Sequence, residues 1–498
     1  MSGTASDNHA WTSRRRAVID IGSNSVRLVI YEGPPRAPFP IVNEKALCGL
    51  GRDMASGGAL DAGAVEAALA TLRRFRRLIE EHGDPQTDVF ATAAVREARD
   101  GKSFVRRIDD LGFRTRIIPG GEEAALAAAG VVSYEPGATG LVGDMGGGSL
   151  ELVALEGGEP RESVSLSIGP LRLMHETGER IGPASETAHR ALARVGWLQP
   201  GRFQALYSVG GAWRALARIH MQLKSYPLTV LHHYEMSRAE AVSVCELVMR
   251  QSRRSLEVIP GITKRRLDTL PFAAAALKAL LERSEAQKVI VSAGGAREGV
   301  LYLDLPSETR ALDPLIEGAH FFAERLAPDA AMGPALQLVT RRLFADETPA
   351  QARLRAATCI LADVAAYFHP DMRGLQAFDT ALRAPFYGVT HRERIEIAYA
   401  LFVRHEGKGA GEPDAAIVAM LAPEERDRSL RLGLAMRFAT SLAPKAPHVL
   451  EGCELVRDKG RLCFRAPKAV QSLMGEIPQK RLENLAAEFG LTPVEAYF

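Results

Sequence analysis

At about 100–200 residues per domain, the 498 residues of this chain correspond to roughly two to four domains. Hydrophobic residues make up 46% and charged residues 24% of the sequence, which is ordinary for a globular protein and excludes a disordered, collagen-like or coiled-coil chain. The 62 Lys and Arg against 60 Asp and Glu leave a net charge of +2. This balance excludes the strongly basic surface of a nucleic-acid-binding protein, so any polyanion must be held by a local patch.

The termini and the cysteines bear on the cellular compartment. Residues 1–13 are polar and lack the apolar segment of a signal peptide, so we expect a disordered tail there. The five cysteines form no CxxC pair, and their odd number favours a reduced, cytoplasmic protein over a disulfide framework. The longest apolar runs, such as Pro271–Leu281, are too short to span a bilayer.

The first part of the chain alternates short strands with helices. Apolar runs at Ala17–Ile21 and Val26–Tyr31 predict two strands joined by a Gly-Ser-Asn turn. Apolar residues recur at helical spacing through Asp61–Glu81, which predicts a helix with Asp61 as its N-cap. Further short elements lead to an alanine-rich helix predicted at Glu122–Val131.

The same order of elements then begins again. A strand at Gly140–Gly143 leads into a glycine-rich turn, and a second strand follows at Leu150–Leu155. The acidic residue at the end of the first strand, Asp144, lies 124 positions after its counterpart Asp20. This weak repeat predicts two related α/β halves. Beyond about residue 310 helical patterns dominate, followed by a hairpin and a C-terminal helix.

The first turn, residues 20–25 with the sequence DIGSNS, is a candidate phosphate site. A glycine between two strands lets backbone N–H groups approach an anion closely. Asp20 can hold a metal, and Ser23, Asn24 and Ser25 can donate hydrogen bonds to phosphate. An ordinary hairpin turn explains the same residues equally well.

The second turn, residues 144–151 with the sequence DMGGGSLE, is the more unusual. Three consecutive glycines cost backbone entropy and are best explained where a ligand approaches the backbone. Asp144 and Glu151 bracket the turn with carboxylates that suit Mg²⁺. The phosphate-binding candidates between them are Gly146, Gly147, Gly148 and Ser149.

Two further glycine pairs follow strands and open helices. This layout places phosphate at a helix N-terminus, although βα turns also use glycine for packing. No GxxxxGK[ST] string is present, which excludes a P-loop. The candidates from these two segments are Gly210, Gly211, Gly294, Gly295 and Arg297.

Two adjacent carboxylates, Glu122 and Glu123, fall in the first turn of the predicted alanine-rich helix. Acidic residues at this position complement the helix dipole without any further role. Alternatively, one of them faces the cleft as a general base. Arg96 follows a strand and can reach the same cleft.

Together these motifs resemble the exopolyphosphatase/guanosine pentaphosphate phosphatase family of the actin–hexokinase superfamily. The five motifs occur in the family's order over roughly the first 300 residues, which is more specific than any one of them. The matching strings are AVIDIGSNSVR (17–27), ATAAVREA (91–98), IPGGEEA (118–124), VGDMGGGSLEL (142–152) and SAGGAREGVL (292–301).

The resemblance implies an α/β fold with two ribonuclease-H-like, actin-like domains around a phosphate cleft. A mostly helical C-terminal domain, comparable to a degenerate HD phosphohydrolase domain, follows them and ends with a small hairpin. The predicted domains are residues 14–126, 127–309 and 310–498.

The resemblance also implies Mg²⁺-dependent release of a terminal phosphate by attack of water, with Mn²⁺ as the alternative ion. The implied catalytic residues are Glu123, as general base, and Arg96. The candidate metal ligands are Asp144, Glu151 and Asp20.

The function expected from these observations is a phosphoric-anhydride hydrolase that removes orthophosphate processively from inorganic polyphosphate. A guanosine pentaphosphate 5′-phosphatase uses the same site and stays open. A kinase is disfavoured because no acceptor site is evident, and an alarmone-binding sensor is favoured only if Glu123 points away from the cleft. We expect a homodimer, and the C-terminal domain is expected to serve either dimerisation or the guiding of long substrates, with candidate contacts at Arg353, Arg355, Arg404 and Lys408.

Overall fold

The computed structural model describes residues 15–51, 58–257, 266–409, 411 and 413–498, so the predicted tail at 1–13 lies outside the described residues. The chain divides into two compact units. The N-terminal unit extends to Leu312, and the C-terminal unit runs from Asp313 to Phe498.

The N-terminal unit contains two sets of strands and helices. The first set comprises β1 (Arg16–Ile21), β2 (Val26–Glu32), β3 (Phe39–Ala46), α1 (Ala62–Glu81), β4 (Gln86–Ala91), α2 (Ala93–Glu97), α3 (Gly101–Asp109), β5 (Thr115–Ile117) and α4 (Gly120–Tyr134). The second set comprises β6 (Gly140–Met145), β7 (Leu150–Glu156), β8 (Glu159–Leu166), α5 (Pro170–Glu176), α6 (Ile181–Ala193), β9 (Ala205–Val209), α7 (Gly211–Leu223), β10 (Glu235–Ser237), α8 (Arg238–Arg250), α9 (Arg253–Glu257), α10 (Leu270–Ser284), β11 (Lys288–Val291), α11 (Ala296–Leu303) and α12 (Ser307–Arg310).

The two sheets share a five-strand topology, to which the second sheet adds the antiparallel edge strand β10. The first has the strand order β3-β2-β1-β4-β5, and the second has the order β10-β11-β9-β6-β7-β8. In each, three antiparallel strands that follow one another along the chain are continued by parallel strands next to the first of them. The predicted α/β fold with two related, actin-like halves is therefore confirmed. The edge strands β3 and β8 escaped prediction because β3 has a single buried residue and β8 has none, so neither shows an apolar alternation.

Local sequence chemistry explains the first helix. Asp61 is its N-cap, as predicted, and Oδ1 accepts a hydrogen bond from the Ala64 N–H at 2.6 Å. Because apolar residues recur every three or four positions, they form one face, and Leu69, Leu72 and Phe75 are buried against the first sheet. The side-chain periodicity was therefore sufficient to place this helix.

Helices α4 and α11 lie between the two sheets. Leu126 of α4 and Val300 of α11 pack in one core with first-sheet residues such as Val18. Ala128, also on α4, packs in the core beneath the second sheet. The predicted boundary between residues 126 and 127 thus falls inside α4, and α11, predicted to belong to the second domain, also packs against the first sheet. The order of elements along the chain does not reveal that a late helix returns to the first sheet.

The C-terminal unit is mostly helical, as predicted. Its elements are α13 (Pro314–Leu326), α14 (Met332–Arg341), α15 (Pro349–Ile360), α16 (Arg373–Arg383), α17 (His391–Glu406), α18 (Ala415–Val418), α19 (Pro423–Leu442), β12 (Glu454–Asp458), β13 (Arg461–Ala466), α20 (Glu476–Glu488) and β14 (Thr492–Tyr497), with 3₁₀ turns at Pro370–Met372, Pro447–Leu450 and Lys468–Leu473. The predicted hairpin is β12–β13, and β14 adds a parallel third strand that the sequence pattern did not indicate.

The four basic residues predicted to guide a long substrate all form ion pairs inside the C-terminal unit. The pairs are Arg353 with Asp313, Arg355 with Glu347, Arg404 with Asp363, and Lys408 with Glu488. These pairs compensate the charge of the four side chains, and their role in guiding a long substrate stays a prediction.

All five cysteines are free thiols, in agreement with the absence of a disulfide framework. Within the described ranges, none of the helices combines the length and apolar character needed to cross a bilayer.

Candidate active site

A cleft of about 190 Å³ lies in the N-terminal unit, where the turns after β1 and β6 face each other. Because the two halves are related, their glycine turns meet in the same place. The predicted site residues that line the cleft are Asp20, Ser23, Asn24, Ser25, Glu123, Asp144, Gly146, Gly147, Gly148, Ser149, Glu151, Gly210, Gly211, Gly295 and Arg297.

The two facing turns are built alike. In each, the N–H of the first glycine donates to the carbonyl of the serine three positions later: Gly22 to Ser25 at 2.9 Å, and Gly146 to Ser149 at 3.0 Å. A Cβ atom on Gly148 would lie 3.1 Å from the Ser23 hydroxyl, and one on Gly147 would lie 3.4 Å from the Ser23 Cβ. A side chain at Gly148 would therefore crowd the opposite turn, and one at Gly147 would also come within 3.1 Å of Leu171 Cδ1, which accounts for glycine at both positions.

Glu123 stands in the wall of this cleft, in the first turn of α4. Its Oε2 accepts a hydrogen bond from Arg96 at 3.0 Å, and Arg96 also donates to the Ile118 carbonyl at 2.8 Å. Burial raises the pKa of Glu123 to about 7, although the Arg96 guanidinium opposes the rise. The neighbouring Glu122 instead pairs with Arg116 at the surface. Of the two adjacent carboxylates, Glu123 is therefore the one in position to act as a general base.

Two further carboxylates, Asp144 and Glu151, occupy directly opposite positions on β6 and β7. Burial raises the pKa of Asp144 to about 6, with a contribution from the negative charge of Asp20. Burial also raises the pKa of Glu151 well above its usual range, and Glu123 adds to the rise. The Ser165 hydroxyl donates to Glu151 at 2.8 Å. Like charges across a strand pair repel, so a cation at this position would stabilise the ionised carboxylates.

The equivalent strand pair of the first half is different. Asp20 lies opposite Arg27, at the positions that Asp144 and Glu151 take in the second half. Arg297 donates to Asp20 Oδ2 at 2.8 Å. Because Asp20 already has a guanidinium partner, its predicted role as a metal ligand is not supported, and it holds Arg297 in the cleft instead.

The donor chemistry of the cleft limits how Mg²⁺ can be held. Among the residues that the structure describes, no group of three or more His, Cys, Asp or Glu side chains is placed to hold a metal ion. Mg²⁺ commonly takes one or two protein carboxylates, with waters and substrate phosphates as its other ligands. Asp144 and Glu151 fit this mode, whereas a site built from protein ligands alone does not fit.

Positive charge in the cleft exceeds what the motifs indicated. Besides Arg297, the lining includes Arg27, Lys45, Arg214 and Arg266. Burial lowers the pKa of Arg214 to about 10, and Arg297 and Arg27 contribute to the decrease by like-charge repulsion. Burial lowers the pKa of Lys45 to about 8, with a contribution from Arg266. Cations that depress one another's pKa in this way create a site for an anion.

Two predicted residues do not line the cleft. Arg96, predicted to be catalytic, lies behind Glu123 and contacts its carboxylate, which makes Arg96 a positioning residue. Gly294, predicted to bind phosphate, contacts Gly130 of α4 so closely that a Cβ atom on Gly294 would overlap the Gly130 carbonyl. That glycine serves helix packing, the alternative that its sequence context left open.

Residues 29–308 match the Ppx/GppA phosphatase family, and residues 338–492 match the exopolyphosphatase C-terminal domain. The first match alone covers more than half of the chain. The chain belongs to the Ppx/GppA phosphatase family. A relative in Saccharomyces cerevisiae, retrograde regulation protein 2, is 27% identical over an alignment of 446 positions, and the alignment covers 78% of this chain and 72% of that protein.

Solved structures of Ppx/GppA proteins match the chain over 58% of its length. An exopolyphosphatase from Cytophaga hutchinsonii is 26% identical, with 96% of its chain covered and a TM-score of 0.54. The Aquifex aeolicus family member is also 26% identical, with 97% of its chain covered and a TM-score of 0.50. These likenesses agree with the actin-like arrangement of the two sheets.

Proposed function

We propose that this Ppx/GppA family member is an exopolyphosphatase, which hydrolyses the terminal phosphate of inorganic polyphosphate. The observation that carries the proposal is the position of Glu123, a buried carboxylate in the wall of a cleft rich in backbone donors and cations. With a pKa raised to about 7, this carboxylate accepts a proton at neutral pH. General-base catalysis works best when the pKa of the base is near the working pH.

The residues of the cleft divide the work of phosphoryl transfer. Glu123 accepts a proton from the attacking water, and Arg96 fixes the orientation of its carboxylate. The glycine turn at 146–149 lets backbone N–H groups approach phosphate oxygens, while Arg214 and Arg297 compensate their charge. Phosphoryl transfer depends mainly on such positioning and charge compensation.

Asp144 and Glu151 are the residues that would hold Mg²⁺, with Mn²⁺ as the alternative ion. When bound, the ion would supply further charge compensation for phosphoryl oxygens. We expect hydrolysis to require a divalent cation as well as the residues named above.

The character of the lining favours polyphosphate over guanosine pentaphosphate. In the part of the cleft that the structure describes, Phe90 is the aromatic residue, and it is 1% exposed. A buried ring of this kind offers no face on which a nucleobase can stack, whereas the cations of the lining suit repeated phosphates. Guanosine pentaphosphate 5′-phosphatase activity is the second candidate, because it requires the same catalytic carboxylate.

A regulatory role without hydrolysis is the alternative from a different class, and the name of the Saccharomyces cerevisiae relative points toward it. The placement of Glu123 in the cleft wall supports hydrolysis instead. The expected homodimer and the cytoplasmic compartment stay predictions, for light scattering and fractionation to test.

Phosphate release measured side by side on long-chain polyphosphate, guanosine pentaphosphate and ATP tests the proposal. With Mg²⁺ present, we expect polyphosphate to give the highest kcat/KM. A higher value for guanosine pentaphosphate would select the second candidate. Tight binding of either compound without phosphate release would contradict hydrolysis and select the regulatory role.

A further inference from the structure

Arginine side chains from four helices of the C-terminal unit converge at the C-terminal end of α17. Arg404 belongs to α17, Arg437 to α19, Arg481 to α20 and Arg373 to α16. Arg437 Nη1 donates to the carbonyls of Arg404, at 3.3 Å, and of His405. Arg481 Nη1 donates to the carbonyl of Arg437 at 3.2 Å. We call these four residues the arginine cluster.

The carboxylates near the arginine cluster do not balance its charge. Asp363 forms an ion pair with Arg404. Glu406 accepts a hydrogen bond from the Gly374 N–H at 3.1 Å and interacts with Arg437 over a longer distance. In the described part of the unit, the pair between Arg404 and Asp363 is the only ion pair that the four arginines form. Four guanidinium groups therefore face two carboxylates, and two positive charges remain uncompensated.

A partly buried histidine lies beside the cluster and receives a hydrogen bond from it. The ring Nδ1 of His405 lies 3.0 Å from Arg404 Nη1 and accepts its hydrogen bond. Burial lowers the pKa of His405 to about 2, with further decreases from Arg404, Arg373 and Arg437. His405 is thus neutral at physiological pH. Among the described residues, the buried Arg404 Nε has no hydrogen-bond partner.

A purely structural role does not account for this arrangement. A single arginine that donates to the last carbonyls of a helix is a common cap, and Arg437 fills that role for α17. Three further guanidinium groups add repulsion among like charges in a partly buried place, which costs free energy unless an anion compensates them. Arginine is also the residue best suited to bidentate contacts with phosphate oxygens.

We propose that the arginine cluster binds a phosphate oxyanion, either free orthophosphate or a phosphate group of a longer chain. Arg437 and Arg481 are partly exposed and each uses one of its terminal nitrogens for carbonyl contacts, so their remaining donors face the ligand. Arg404 stays paired with Asp363 below them. This site lies outside the catalytic cleft, and its occupancy does not depend on hydrolysis.

Hydrogen–deuterium exchange on the full-length chain tests the site separately from turnover. The probes are orthophosphate, pyrophosphate and long-chain polyphosphate, and the reporters are the backbone amides at the end of α17 and in the second half of α19. We expect each probe to slow exchange there, both in the wild type and in Arg214→Ala, which weakens the catalytic cleft alone.

Matched variants assign the effect to the cluster. Arg481→Gln is expected to raise the probe concentration that gives half-maximal protection at least tenfold. Arg481→Lys is expected to restore most of the wild-type affinity. Arg383→Gln removes an exposed arginine of the same unit that is paired with Asp379, so it is expected to leave the concentration unchanged. If only long-chain polyphosphate protects these amides, the ligand is a phosphate group of a longer chain, and binding of free orthophosphate is excluded.

Two results would overturn the proposal. One is wild-type protection from exchange in both Arg481→Gln and Arg437→Gln, and the other is no protection by any probe in a wild-type protein that melts normally. If Arg437→Gln loses its helix cap and fails to fold, Arg481→Gln still decides, because its single carbonyl contact is not needed to cap a helix. Equal weakening in Arg383→Gln would also overturn the site, because it would show a nonspecific charge effect.

Discussion

Replacing Arg96 by Ala removes the cation that holds the pKa of Glu123 near 7. The guanidinium lies 3.0 Å from the carboxylate, and its side chain is 22% exposed. A neighbouring arginine lowers a carboxyl pKa by about 1–3, and the partial exposure favours the lower end of that range. We therefore expect the pKa of Glu123 in the variant to be near 8, about 1 above the wild-type value.

This change has a defined effect on the rate. The base is active when ionised, so a higher pKa shifts the rise of kcat with pH to more alkaline values. At pH 7 the ionised fraction falls from about one half to about one tenth, which predicts a roughly fivefold loss of kcat. At pH 9 both carboxylates are largely ionised, so the difference in proton affinity accounts for less than about a twofold difference in rate, and any further loss at that pH reports the orientation that Arg96 gives the carboxylate.

The assay is phosphate release from short-chain polyphosphate between pH 5.5 and 9.5, at saturating Mg²⁺. Arg96→Lys retains the charge and is expected to keep the wild-type profile more closely than Arg96→Ala. Arg99→Ala, an exposed neighbour, is the matched control. A uniform loss of rate at every pH in Arg96→Ala would refute the reasoning, since it would show a structural role without effect on the proton affinity of Glu123.

Three further predictions concern the cation, the substrate and the fold. Asp144→Asn should raise the Mg²⁺ concentration needed for half-maximal rate, since a neutral amide replaces a carboxylate ligand; an unchanged Mg²⁺ curve would exclude Asp144 as a ligand. The pKa of Lys45 is about 8, so KM for polyphosphate should rise as the pH passes 8 and the ammonium loses its proton. Lys45→Gln should abolish that rise, and a rise that persists would assign it to another group. Gly130→Ala should destabilise the chain by about 1–3 kcal/mol in urea unfolding, because its Cβ would overlap the backbone of Gly295; wild-type stability would show that α4 and α11 can separate.

The glycine turns were predictable because their chemistry is local. In each, an acidic residue, glycine and hydroxyl side chains follow one another within a few positions, and the repeat 124 residues later doubles the signal. The local sequence also narrowed the candidates for the general base to two adjacent residues, Glu122 and Glu123. The residues alone did not choose between them, because the orientation of the helix decides which carboxylate is buried.

The cations of the cleft were harder to find, since each comes from a different element. Lys45 lies on the edge strand β3, and Arg266 lies four positions before the start of α10. Only the three-dimensional topology brings them beside Arg214. One local signal was available: Arg27 lies opposite Asp20, at the position that corresponds to Glu151 in the second half.

Gly294 was predicted to bind phosphate, but it packs against a helix instead. A glycine after a strand and before a helix has the same local sequence whether it receives phosphate or lets two helices approach. The contact with Gly130 comes from α4, more than 150 positions earlier in the chain. Sequence spacing alone contains no information about that partner.

A comparison of two adjacent variants decides whether Glu123 is the general base of a hydrolase. Single-turnover phosphate release from polyphosphate is measured for Glu123→Gln and, as the matched control, for Glu122→Gln, together with equilibrium binding of the same substrate. We predict that Glu123→Gln lowers the rate by about 10²–10⁴ with little change in binding, while Glu122→Gln stays near the wild-type rate. Near wild-type turnover in Glu123→Gln, with or without a loss in Glu122→Gln, would contradict the account.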